Sequence, residues 1–374
     1  MARRAAVTAD IGGKMTSSAP WFVMPWGAVV MPWAAVILAL STVSGCATID
    51  KWKQEHREAS LYRRQEAEAA AREQASWGDR PSKLKRAQDI ARLRRLQSEL
   101  IAHGDPDSLA AGALFEIPIS GFPDGTALEL ATRAVARAPE RTDLALLQLQ
   151  LCENAPACDA LPLEAHLREL DPENGITWTY ALLRAAREDR PADWVAARDG
   201  LAQSQRIDLY WNRTVSHLAG AVAGRAGLDS GAAVREVIGI ETALEASFQS
   251  VSKMCQAQAI QQPDVLVQCR RIAAAFQHGD TSLVEAYGSS LAIRLWPEGS
   301  AERLAVITER RALRYRADLM TRYAERINSP RSVEVLAGLL ARYPTEQAAF
   351  RALFVRLGLN PDPPPGWVDR QPEG

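Results

Sequence analysis

Two His-Gly-Asp trios and five cysteines are the residues of this chain best suited to chemistry. His103-Gly104-Asp105 and His278-Gly279-Asp280 repeat one pattern, each followed closely by Ser-Leu. An imidazole beside a carboxylate suits general-base work. The same trio also suits the end of one helix, a left-handed glycine and the cap of the next helix, with Asp105 or Asp107 as the cap after Gly104. That second reading explains the spacing without a reaction and is the one adopted. Glu164, His166 and Glu169 share one Ala/Leu-rich helical stretch and read as surface groups. The densest polar-aromatic cluster runs from Asp208 to Asn212, where Tyr210, Trp211 and Asn212 either line a groove or pack a hairpin. No H-E-x-x-H, G-x-S-x-G, phosphate loop or G-x-G-x-x-G occurs. The expectation is therefore no catalytic residue, no cofactor and no metal.

Cys46 stands apart from the other cysteines. Arg3, Arg4 and Lys14 precede an uncharged run from Ala19 to Leu40, and small residues then lead into the cysteine. This order is that of a secretory leader. Val43-Ser44-Gly45-Cys46 resembles the lipobox of bacterial lipoprotein precursors. The resemblance implies that residues 1–45 are a signal peptide, cut before Cys46. It implies that the Cys46 thiolate takes a diacylglycerol group and that the new amino terminus is acylated. One chain alone holds a protein to a bilayer only marginally, and two or three hold it stably. Ala47, rather than Asp, follows the cysteine. By the family's sorting rule this implies an outer-membrane anchor facing the periplasm, with inner-membrane anchoring as the alternative. An uncleaved span is the rival reading, since about 20 apolar residues suffice to cross. Pro20, Pro25 and Pro32 interrupt that run, and Met15 is a second possible start.

Export bears on the remaining cysteines. Cys152, Cys158, Cys255 and Cys269 form an even set, which in an oxidising compartment implies disulfides. Three pairings exist, and the local one is expected: Cys152 with Cys158 across a turn-like stretch, and Cys255 with Cys269 across Gln261-Gln262-Pro263. The spacings C-x5-C and C-x13-C, with no histidine beside them, do not suit zinc.

The elements that must position these residues are helices. A body with 47% apolar and 24% charged residues folds around a core. Residues 50–77 are rich in helix formers but poor in large apolar groups, so 46–79 reads as a charged helical stalk. Residues 50–103 carry 13 Lys/Arg against 9 Asp/Glu, and residues 104–374 carry 28 against 35. The basic stretch Arg80–Arg95 therefore lies on anionic headgroups or forms a solvated helix face. The overall balance excludes a nucleic-acid partner. Leu84 to Ile101 has helical spacing, Ile117-Pro118-Ile119 reads as a linker, and residues 231–260 pair with 264–277 as a hairpin. Residues 80–357 are read as one all-α domain, and 358–374 as a Pro-rich disordered tail.

Pro139 and Pro172 lie 33 residues apart, each after an amphipathic helix, and Trp178 follows the second. Residues 121–205 resemble tetratricopeptide-type helical hairpins on these features. The resemblance implies stacked hairpins, an α-solenoid-like body preceded by the long N-terminal helix, and a concave surface for a protein or peptide partner. The function expected is a non-catalytic, membrane-anchored envelope scaffold serving assembly or secretion. An envelope enzyme acting on peptidoglycan and a passive spacer are the alternatives.

Overall fold

Helix punctuation in the sequence becomes helix boundaries in the structure. The computed structural model describes residues 83–121, 125–153, 155, 158–241 and 248–368. The leader, Cys46, the stalk and residues 369–374 lie outside the described residues. Sixteen α-helices follow one another: α1 Lys83–His103, α2 Pro106–Ser120, α3 Gly125–Arg137, α4 Thr142–Cys152, α5 Leu161–Leu170, α6 Ile176–Arg187, α7 Pro191–Gln203, α8 Trp211–Val222, α9 Ser230–Glu241, α10 Gln249–Met254, α11 Pro263–Gln277, α12 Ser282–Leu295, α13 Ala301–Arg322, α14 Ala324–Ile327, α15 Pro330–Arg342 and α16 Glu346–Arg356. The fold is all-α. Among the described residues the β pairing is a lone parallel bridge between Asn174 and Arg206.

Caps explain many of the starts. Asp105 accepts the backbone N–H groups of Asp107 and Ser108 to open α2. Gly104 before it is left-handed, at φ +76°. Thr281, Ser300, Ser329 and Thr345 cap α12, α13, α15 and α16 in the same manner. Pro330 sits in the first turn of α15, where its missing N–H costs nothing. Two expectations change. Ile117-Pro118-Ile119 is the last stretch of α2 rather than a linker. A proline near a C-terminal end interrupts few helical bonds, and left-handed Gly121 closes the helix by donating to the Ile117 carbonyl. The stretch 231–260 is not one helix: α9 is described as far as Glu241, and past residue 248 come the short α10 and a 3-10 turn at Ala259–Gln261.

Neighbours in sequence pair as hairpins, α6 with α7, α8 with α9, α11 with α12 and α15 with α16. Packing also runs far along the chain. Helix α15 lies against α8 and α9, α2 against α8, and α7 against α11. Two apolar cores result. The first is built from α1–α4, α8, α9 and the C-terminal helices, including Leu96, Leu114, Leu218, Val237, Leu336 and Phe354. The second gathers Leu149, Leu182, Leu201, Phe276 and Leu291 from α4, α6, α7, α11 and α12. Helix α4 serves both. Leu144, Leu147 and Leu151 enter the first core, while Ala145, Leu146 and Leu149 enter the second. All eleven residues of α4 are buried, as expected for a helix apolar on every side. Its buried polar groups have partners, with Arg141 gripping Asp143 by two bonds and Gln148 donating to Thr132.

Cys152 bonds to Cys158 and Cys255 to Cys269, the local pairing. Cys152, Cys255 and Cys269 are buried in the second core, and Cys158 packs on its edge. Replacing Cys255 and Cys269 with serine is expected to cost about 2 kcal/mol in urea unfolding. Non-reducing peptide mapping checks the pairing, and a link from Cys152 or Cys158 to Cys255 or Cys269 would reject it. Trp178, the tryptophan of the repeat-like stretch, lies under the Arg168 guanidinium at 3.9 Å. The described part of the Pro-rich tail folds back rather than trailing. Trp367 meets Tyr315 edge to face at 5.3 Å, and Arg351 pairs with Asp362.

Candidate functional site

The Asp208–Asn212 cluster sits where four chain segments meet. Asn174 ties the first two. Its Nδ2 donates to the Asp208 carbonyl and to the Tyr210 hydroxyl, and its Oδ1 accepts the N–H groups of Ile176 and Asp208. Tyr210 then donates its hydroxyl to Asp171 at 2.7 Å, and Arg206 grips the same carboxylate with two contacts at 2.8 Å. Burial, followed by the adjoining Asp171 carboxylate, pushes the Tyr210 phenol well above its ordinary range. Tyr210 adopts φ +54°, a left-handed turn that few non-glycine residues take. Asp280 supports that turn. It arrives from the α11–α12 loop and accepts the N–H groups of Leu209 and Trp211 at 2.9 and 2.8 Å.

Asp280 therefore does not cap its own helix; Thr281 does that. The two trios are alike in sequence and different in use. In the first, Asp105 caps the next helix and His103 contacts it at 2.5 Å. Burial would raise the Asp105 carboxyl, but hydrogen bonds from Ser108 and the His103 charge draw it down to about 2. In the second, burial raises the Asp280 carboxyl, and the Asp208 carboxyl beside it raises it further against the two backbone donors. A buried carboxyl beside another carboxylate gives up its own proton less readily.

Tyr210 and Asn212 line a cavity of about 350 Å³, closed on its other side by Leu340–Pro344. Trp211 turns away and packs against the first core. The structure thus brings two of the three nominated residues to one cavity. Glu164 is buried and held by Arg168 and Arg184, while His166 is half-buried, with Nε2 3.0 Å from the Pro139 carbonyl. They form no common site.

A larger cleft, about 570 Å³, runs between α11, α12 and α13. Helix α13 presents Glu302, Ala305, Val306, Glu309, Ala312, Leu313 and Arg316 to it, one stripe at helical spacing. From Glu302 to Arg316 that stripe is about 21 Å long. Arg270, Ala274, Gln277 and His278 form one facing wall, and Glu285, Ser289 and Trp296 the other. Arg270 lies 3.9 Å over the Trp296 ring and donates to the Leu295 carbonyl. Arg316 donates to Gln347. Burial, with Glu346 and Glu309 nearby, lifts the Glu285 carboxyl to about 7 against the pull of Arg316. The cleft offers an aromatic plate, small residues that leave room, and charges of both signs. The sequence carried a signal for it in the alanines of the α13 stripe, which leave an amphipathic helix unusually thin on one side.

Among the described residues no three His, Cys, Asp or Glu side chains are placed to hold a metal ion. No described helix is long and apolar enough to cross a membrane. Comparison with protein families, curated proteins and solved structures finds no match to this chain.

Proposed function

We propose that this chain is a membrane-anchored envelope lipoprotein whose stacked helical hairpins hold a protein or peptide segment without catalysing a reaction on it. The cleft between α11–α12 and α13 carries the reading. It is long and open, and α13 buries few residues of its own, with Val306 anchoring one end and Tyr315 and Leu319 the other. A groove of this kind accepts an extended or helical segment along its length. The far-reaching contacts of α15 close the hairpins into a thicker body than an open solenoid, so the cleft takes the place of a broad concave face. Cys46 supplies the anchor, and the charged stretch after it acts as a spacer. The partner is one that acts in envelope assembly or secretion at the outer membrane.

Cys46→Ala is expected to abolish palmitate labelling and release the protein from the membrane fraction; retained label would sink the anchor. A photo-cross-linking residue at Ala305 or Ala312 is expected to capture a discrete partner in the native envelope, while one at exposed Val195 does not. Equal capture at all three positions, or none, would remove the scaffold reading.

Glu285 supports a second reading. A carboxyl lifted to about 7 in a cleft that also holds Glu309 has the character of a general acid. Release of soluble fragments from purified peptidoglycan, lost in Glu285→Gln, would favour the enzyme over the scaffold.

A further inference from the structure

The cavity beside Tyr210 contains an unsatisfied acceptor. Asn212 is 3% exposed and lines the cavity wall. Its Nδ2 donates to the Tyr343 carbonyl at 2.8 Å. A carbonyl can only accept, so this bond fixes the other amide atom as oxygen. That Oδ1 is buried and has no donor. Buried acceptors are nearly always satisfied, and one left alone marks a place where a donor belongs.

Charge at the mouth defines the rest of the ligand. Arg213 and Arg342 both line the cavity and are exposed. Arg213 spends one N–H on Thr142, and neither arginine has a carboxylate partner among the described residues. The carboxylate in the wall, Asp208, is occupied. It accepts the Tyr210 N–H at 2.6 Å, faces Arg206 at 3.9 Å and lies beside the Asp280 carboxyl. His217 is turned towards Asp107. The cavity therefore combines two guanidinium groups without a carboxylate partner and one buried oxygen that needs a donor. An anion with no proton to donate, such as sulfate, satisfies the first and not the second. A free peptide end satisfies both, since its carboxylate lies next to a backbone amide.

We propose that this cavity binds the α-carboxylate end of a peptide chain, with the carboxylate between Arg213 and Arg342 and the adjoining amide N–H donating to Asn212 Oδ1. The proposal rests on the peptide-binding reading and gives it a chemical address separate from the α11–α13 cleft. Guanidinium groups suit the planar carboxylate through paired N–H donors. A protein C-terminus and a D-alanine-terminated cell-wall peptide share this chemistry.

Calorimetry on the full chain tests it with Gly-Ala-Ala as the free acid and as its C-terminal amide. The free acid is expected to bind at least 10-fold more tightly than the amide. Arg342→Gln, an exposed change that leaves the helix intact, is expected to weaken the acid at least 10-fold and the amide hardly at all. Equal binding of acid and amide, no binding of either, or an unaltered affinity in Arg342→Gln overturns the proposal. Inorganic phosphate competing as well as the peptide reduces the cavity to a plain anion site and also overturns it. Peptides ending in L-Ala-L-Ala and in D-Ala-D-Ala then separate the two sources, a preference for either being consistent with the site. Capture of a partner from Ala305 that persists when the peptides fail would leave the scaffold standing and remove only this pocket.

Discussion

Asp280→Ala is expected to destabilise the fold by about 3 kcal/mol, because it orphans two part-buried backbone donors at once. The Asp280 carboxyl accepts Leu209 N–H and Trp211 N–H on either side of the left-handed Tyr210. Both amides are part-buried, so solvent replaces the carboxyl poorly, and the turn itself is strained without support. The Asp280 carbonyl also accepts Glu346 N–H, while Glu346 accepts Ser282 N–H at 2.6 Å. The side chain therefore serves the start of α8, while the backbone carbonyl of the same residue, kept in the alanine variant, serves the start of α16. Asp280→Asn keeps one acceptor and is expected to lose about half as much. Urea unfolding of the two variants beside the parent decides it. A loss below about 1 kcal/mol in Asp280→Ala would mean that solvent replaces the carboxyl.

Stability is also expected to fall as pH rises from about 5 to 8, with Glu241 one of the contributors. Glu241, the last described residue of α9, is buried, and its Oε2 has no donor among the described residues. Burial first, and then the Asp143 charge, lift its carboxyl from the ordinary 4.5 to about 7. The sign follows from linkage. The unfolded chain releases this proton near 4.5 and the folded chain near 7, so the native state holds the extra proton in between. The contribution is complete below pH 4.5 and is lost as pH climbs through 7. From pH 5 to 8 the loss is about 2 to 3 kcal/mol at 1.4 kcal/mol per unit. Glu285, also lifted to about 7, and Asp280, raised by burial, add to the same slope. Glu241→Gln has no proton to release, and its urea midpoint is expected to vary correspondingly less between the two pH values. Parallel pH curves for parent and variant would refute the assignment.

Much of the architecture was legible in the sequence, because helix punctuation is local. The Ser-Pro at residues 329–330, the Gly-Asp at 104–105 and the helical spacing from Leu84 to Ile101 each specify an end or a face within a few residues. The disulfide pairing was legible for the same reason, since each partner lies a short loop away. What was not legible is carried by distance along the chain. Nothing near residue 280 in the sequence says that its carboxyl serves Leu209 and Trp211, 71 and 69 residues earlier. Nothing near Asn212 says that Tyr343 will take one end of its amide. Tyr210, Trp211 and Asn212 were found as a cluster because aromatic and polar groups crowd there. Which of them faces a cavity was decided by the turn at Tyr210, and that turn depends on Asp280.

The first core has a consequence for how the molecule comes into being. Its helices belong to the two ends of the described chain, with α1–α4 contributing one part and α14–α16 another. A ribosome delivers those parts some 200 residues apart, or tens of seconds at the slower rates of synthesis. Until α15 arrives to cover α8 and α9, the apolar residues Val215, Leu218 and Val237 share only the part of the core that α1–α4 supply. Until then an apolar face stays open to other sticky surfaces, the condition under which partly folded chains aggregate. A chain cut before Ser329 keeps that face open for good, and its fate is aggregation or proteolysis rather than a smaller working domain.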